Sequence, residues 1–221
     1  MKSDMKLISV NVGLPRLVMS NGDPVSTGIF KEPVAGRVML RTLNLDGDRQ
    51  ADLSVHGGPS KAAYGYPSEH YDYWTAEFPE MKLPGGMFGE NFTTAGLFES
   101  ELNIGDKFRV GCHRDGDRAA DALLQARHQV RPVRHDPPVR HDPEVPPSER
   151  TGFYFAVLQE GEVGLGDPIE LIESGERSVR VSDIVQLYTR EKHNVGLLRR
   201  AMKVEALPES PRAISSIDSR N

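Results

Sequence analysis

The stretch Lys6 to Val12 (KLISVNV) alternates branched apolar with polar positions and predicts a strand with one buried face. Arg37 to Leu45 (RVMLRTLNL) predicts a second strand, so β-structure opens the chain. Between them, LPRLVMSNGDPVSTGIFKEP carries an Asn-Gly pair flanked by turn formers, the signature of a hairpin or a surface loop. Pro67 to Phe78 (PSEHYDYWTAEF) sets Tyr71, Trp74 and Phe78 at helical spacing and predicts a helix with an aromatic inner face. Glu101 to Gly111 and Gly161 to Ile172 share a short turn, a Gly-Asp pair and an alternating strand, the pattern of barrel strands entered through tight turns. From Ser178 onward three short helical segments are predicted, with Ser182 and Asn194 as N-caps. Ile184, Val185, Leu187, Leu197, Leu198 and Met202 read as their packing positions.

A chain of 221 residues can form one substantial domain plus a small appendage. Hydrophobic residues at 38% and charged residues at 27% place it among soluble globular proteins, and 21 Gly with 16 Pro make it loop-rich. The opening MKSDMKLISVNVG lacks a signal-peptide apolar region, and no run of about 18 apolar residues occurs, so neither secretion nor a membrane span is expected. A lone cysteine cannot form an internal disulfide, which fits a reducing cytoplasm. A net charge of -5 argues against a general nucleic-acid binder and leaves a small-molecule ligand as the expected partner.

The densest polar cluster runs from Asp46 to Tyr66, where acidic groups, His56, Gly57, Gly58 and Lys61 converge. Paired glycines let the backbone approach a ligand closely, and Lys61 can meet an anion such as phosphate. A tight turn with a hydrogen-bonded His56 fits the same residues. Gly85 to Phe92 (GGMFGENF) surrounds Phe88 with glycines ahead of Glu90 and Asn91. Its amides suit either an anion or pterin edge, or a glycine-rich turn whose amides Glu90 caps. Arg150 to Phe155 (RTGFYF) reads as an oxyanion partner or as an ordinary strand start.

HGGPSKAAYGYPSEHYDYW, GMFGENFTTAGL, IGDKFRVG and RTGFYFAVLQEGEVGLGDPIELIE follow one another in the order and approximate spacing of MOSC domains, named after the molybdenum cofactor sulfurase C-terminal region. The resemblance covers roughly Val34 to Ile172, and the tail with its ALPES signature resembles the three-helix module of the bacterial YiiM-type branch. It implies a β-rich α+β fold: a MOSC-type β-barrel with flanking helices over 34–173, an N-terminal strand and loop over 1–33, and a helical module over 178–217. It also implies binding of molybdenum cofactor (molybdopterin), a cysteine at the metal, reduction of N-hydroxylated purines such as hydroxylaminopurine, and a family-level association with pyridoxal phosphate. The positions that match the family are Asp52, His56, Gly57, Gly58, Lys61, Tyr64, Phe88, Gly89, Glu90, Asn91 and Arg150. An electron-donating reductase is the implied partner, and a homodimer is compatible with the resemblance.

The pattern breaks between 112 and 147. The family's reactive cysteine stands in a Pro-Arg-x-Pro-Cys type motif beyond the strand that ends at Gly111, whereas the sole cysteine here, Cys112, comes too early and lacks those neighbours. Arg, His, Asp and Pro crowd together with little aliphatic periodicity, which does not read as core, and composition suits a surface insertion. His128, His135 and His141 lack zinc-like spacing, so no metal ligands are assigned. Back-translated and read one nucleotide later, with free choice of wobble bases, DALLQARHQVR becomes MPCYKLGIRFG, which is the missing motif. The segment from about Cys112 to Pro147 is therefore read as a paired frameshift, in the gene or in its sequencing, with the cysteine codon straddling Leu123 and Leu124. The alternatives to a reductase are a non-catalytic cofactor or sulfur carrier, and a binding module whose pocket has decayed.

Overall fold

The computed structural model describes residues 4–20, 22–51, 57–111, 121–127, 150–175, 179–191, 193–204 and 206. Twelve strands and three α-helices are assigned among them: β1 (Lys6–Val12), β2 (Arg16–Ser20), β3 (Asp23–Thr27), β4 (Glu32–Pro33), β5 (Arg37–Leu40), β6 (Ala63–Pro67), α1 (Glu69–Glu77), β7 (Phe92–Ala95), β8 (Lys107–Val110), β9 (Ala122–Arg127), β10 (Phe153–Gln159), β11 (Gly161–Gly164), β12 (Ile169–Glu173), α2 (Val181–Thr189) and α3 (Val195–Ala201). Eight strands form one sheet in the order β12-β8-β9-β10-β6-β7-β1-β4, and β11 with β5 and β2 with β3 form separate ribbons.

The sheet curls on itself because β1, near one end of the order, is tied to the turn that feeds β12 at the other. Leu7 N donates to Asp167 O at 2.9 Å and Ile169 N donates to Met5 O at 2.8 Å. Arg37 clamps the same turn with a two-pronged contact to Asp167 at 2.8 and 2.9 Å, a geometry that suits guanidinium and carboxylate. A curled sheet encloses its inner face, so alternate residues of β8 and β9 fill the barrel. Phe108, Val110, Ala122, Leu124 and Ala126 are buried there with Phe92, Phe153 and Phe155. The resulting fold is the β-rich α+β barrel expected.

All neighbouring strands in the large sheet run antiparallel except β6 and β7. A parallel pair needs a long crossover, and α1 with the glycine-rich loop after it supplies one. The crossover carries a second core in which Tyr64, Tyr66, Trp74 and Phe88 are buried, and Trp74 Nε1 donates to the Tyr66 hydroxyl at 2.7 Å.

Several boundaries differ from the sequence reading. The strand expected to Leu45 ends at Leu40, because Arg41 N turns back to Asn44 O at 2.7 Å. The helix expected from Pro67 begins at Glu69, since Pro67 still pairs with Thr94 in the sheet. Asn194 caps α3 by accepting from Leu197 N at 3.0 Å, but Ser182 lies inside α2, whose entry is fixed by Arg180 N donating to Asp183 at 2.9 Å. Met202 is 65% exposed, at the end of α3, and does not pack as expected. Within the aberrant stretch, 122–127 is a core strand between β8 and β10, a correction to its reading as non-core: ALLQAR carries the alternation that the surrounding charges obscured. The third helical segment and most of 112–147, Cys112, His128, His135 and His141 included, lie outside the described residues. No helix among the described residues is long and apolar enough to cross a membrane.

Candidate functional site

Asp48 is the residue around which the site is built. It follows the turn after β5, is buried, and its carboxylate accepts hydrogen bonds from three directions. Oδ1 takes Gly13 N at 3.0 Å and the Lys31 ammonium, while Oδ2 takes Asn91 Nδ2 at 2.9 Å. Asn91 continues the chain of contacts, its Oδ1 accepting from Tyr64 N at 3.1 Å and its backbone N–H donating to Tyr64 O at 2.8 Å. Gly13 and Lys31 stand on either side of the β2–β3 hairpin. One carboxylate therefore pins both stems of that hairpin to the starts of β6 and β7.

The hairpin closes one side of a cavity of about 480 Å³, within the range of small-molecule sites. Its exit, Val25 to Ile29, faces Tyr64, Phe88 and Tyr154 across this space, with Lys31, Asp48, Arg49 and Lys61 in the wall. Close packing of the two loops demands glycine at two places. A Cβ on Gly13 would lie 2.3 Å from Phe30 O, and one on Gly89, which has φ +79°, would lie 2.9 Å from the Ile29 side chain. Lys61 Nζ sits 5.8 Å from the centre of the Tyr154 ring, close enough for a cation–π attraction. Burial pushes the Tyr154 hydroxyl up to about 12 and also raises that of Tyr64, so both rings are neutral phenols near neutral pH.

The loop bearing Phe88 and Gly89 is held from behind by Glu90. That carboxylate accepts from Tyr71 Oη at 2.5 Å, Thr93 Oγ1 at 2.7 Å, Gly86 N at 2.8 Å and Phe88 N at 3.1 Å. Burial raises its pKa, although the hydrogen bonds from Tyr71, Thr93 and Gly86 N pull the other way. Glu99 performs a similar task nearby, accepting from His70 Nε2 at 2.9 Å and from Gly152 N at 2.8 Å, while Tyr64 Oη donates to Thr151 O at 2.7 Å.

The MOSC domain family model matches residues 52–170, more than half of the chain. The chain belongs to the MOSC family, in its YiiM-type branch. It is 38% identical to the uncharacterized protein YflK of Bacillus subtilis over 94% of this chain and 91% of that one. It is 36% identical to protein YiiM of Escherichia coli over 72% of this chain and 66% of that one. The crystal structure of YiiM from Geobacillus stearothermophilus superposes with a TM-score of 0.71 at 29% identity, covering 97% of each chain.

Among the positions carried over from the MOSC pattern, Gly57, Lys61, Tyr64, Phe88, Gly89 and Asn91 line the one cavity. Gly58 is not in its wall. Glu90 lies behind the wall, acting on the loop amides as in the turn-capping reading. Arg150 packs on the Tyr73 ring, 3.6 Å from its centre, away from the cavity lining. Asp52 and His56 lie outside the described residues. Leu123 and Leu124, where the family cysteine was expected, are strand residues of β9: Leu124 is in the core and neither lines the cavity.

Sequence reasoning missed Lys31, Asp48 and Tyr154. Asp48 lies inside the polar cluster it singled out, and Tyr154 inside RTGFYF, but nothing in their spacing marked either as pocket wall. Lys31 follows the hairpin in a segment with no recognisable periodicity, and only the fold brings it to Asp48.

Proposed function

We propose that this MOSC protein binds molybdenum cofactor through the pterin and phosphate portions, and that its reductase chemistry toward N-hydroxylated purines depends on a thiolate the present 112–147 segment does not supply in the family's context. The observation that carries the first part is the cavity. Aromatic rings of Tyr64, Phe88 and Tyr154 offer faces for a flat heterocycle, the close backbone at Gly57 and Gly89 leaves room at its edges, and Lys61 adds a positive charge to the wall. These residues fit the organic part of the cofactor.

The metal part is not matched in the same way. Among the described residues no group of three or more His, Cys, Asp or Glu side chains comes together. The expected thiolate position is occupied by core leucine. When bound, the cofactor supplies two-electron redox chemistry. The residues of this chain bind and orient the heterocycle, exclude water from its faces and hold its charged end. A second reading, a non-catalytic cofactor or sulfur carrier, draws on the same missing thiolate.

Protein isolated from molybdenum-replete cells tests both parts. Bound pterin, detected as its fluorescent oxidation product, is expected together with little or no conversion of hydroxylaminopurine to the amine. Absence of pterin sinks the cofactor reading, full reductase turnover sinks the dependence on the lost motif, and pterin handed to a second enzyme without turnover favours the carrier.

A further inference from the structure

The β2–β3 hairpin stands apart from the barrel. Among the described residues its strands pair only with each other, and a two-stranded ribbon by itself is marginally stable in water. Residues opposite each other across the ribbon share a face. Val18 and Val25 share one face, while Leu17 with Ser26 and Met19 with Pro24 share the other. Leu17 is 73% exposed, Met19 70% and Val25 44%, so both faces carry apolar side chains open to water.

The base of the ribbon, by contrast, is fastened. Gly13 N donates to Asp48, and Gly13 packs against Phe30 O with no room for a side chain. On the return strand, a Cβ on Gly28 would lie 2.8 Å from Arg49 O. The Arg16 guanidinium lies over the Phe30 ring, 3.9 Å from its centre. A clamped base below a blade with little buried apolar surface is the construction of a segment that opens and closes locally.

Val25 and Ile29 line the cavity opposite Tyr64, Phe88 and Tyr154, yet Ile29 too is 40% exposed. Leu17 and Met19 are not in its wall. Apolar side chains exposed in a cavity gain by covering the apolar surface of a ligand. The gap therefore has one aliphatic side and one aromatic side, which suits a planar ring held by its two faces.

We propose that the β2–β3 hairpin is a lid, and that Val25 and Ile29 make it selective for planar heteroaromatic rings by closing on the ring face that Tyr64, Phe88 and Tyr154 leave open. The inference deepens the cofactor reading and rests on it for the ring being a pterin.

Quenching of the fluorescence of free pterin on titration with the purified chain measures ring binding, and competition by hydroxylaminopurine measures the purine. Val25→Ala/Ile29→Ala is expected to weaken binding about tenfold, the scale of several aliphatic carbons no longer shielded from water. Both positions are exposed, so the variant keeps its fold, with thermal unfolding as the control. Leu17→Ser/Met19→Ser, on the other face of the same ribbon, is expected to bind as wild type does. Hydrogen exchange read by mass spectrometry is expected to show the amides of β2 and β3 slowed when the ring is bound. A Val25→Ala/Ile29→Ala chain that binds pterin as wild type does, equal weakening by Leu17→Ser/Met19→Ser, or hairpin amides indifferent to bound ring overturns the lid and leaves the cofactor reading standing. Wild-type protein that binds hydroxylaminopurine in this lid-dependent way but takes no pterin refutes the cofactor reading and leaves the lid standing. Wild-type protein that binds neither ring overturns both.

Discussion

Glu90 shows how one buried carboxylate can shape a pocket it does not line. Its four donors belong to α1, β7 and the glycine-rich loop, so ionised Glu90 gathers three pieces of chain behind Phe88. Burial nevertheless raises its pKa above the ordinary 4.5. The folded state thus keeps the proton to higher pH than the unfolded state does. The linked stability is fully present below about 4.5 and declines as pH rises from there through the folded value. Glu90→Gln removes this titration and turns an amide toward a backbone N–H, which costs about 1–3 kcal/mol. In urea unfolding across acid to neutral pH, the advantage of wild type over Glu90→Gln is expected to shrink as pH rises. A difference that stays constant over that span contradicts the raised pKa.

At the scale of elements, β-strands and the aromatic helix were legible because their periodicities survive in sequence. Lys6–Val12 coincides with the predicted strand, and Trp74 with Tyr71 and Phe78 forms the predicted inner face of α1. Strand ends were not legible, because Arg41 and Pro67 are placed by partners far along the chain rather than by local pattern. The helical tail separates the two cases sharply. Leu187 and Met202 carry the same apolar signal, yet Leu187 is 1% exposed against the barrel core and Met202 is 65% exposed. Leu187→Ala is expected to cost about 2–5 kcal/mol, whereas Met202→Ala should stay within about 0.5 kcal/mol. Chemical denaturation of both variants checks this, and equal losses would show that the tail packs differently.

At the scale of the whole molecule, the described part of the pocket wall is drawn from the motifs that flank the aberrant segment and from the chain ahead of them. Tyr64, Phe88, Asn91 and Tyr154 come from the matched regions on either side, and Asp48 and Lys31 come from in front of them. The proposed cofactor binding and the proposed redox chemistry can therefore be tested separately. Half of the candidate site was legible because glycine, lysine and aromatic motifs keep their identity in sequence. The Lys31–Asp48 tether was not, since its partners are 17 positions apart and meet only through the hairpin. The frameshift reading makes the separation testable. A gene altered by one base near each end of 112–147, so that MPCYKLGIRFG is read, restores the cysteine motif while leaving the pocket residues untouched. A metal-bound thiolate is a soft ligand whose pKa the metal lowers, so the restored chain is expected to retain molybdenum and to reduce hydroxylaminopurine where the present chain does not. Metal content by mass spectrometry, beside turnover, decides it. A restored chain that folds and binds pterin yet holds no more molybdenum than the original would show that the segment's lost reading frame is not what separates binding from catalysis.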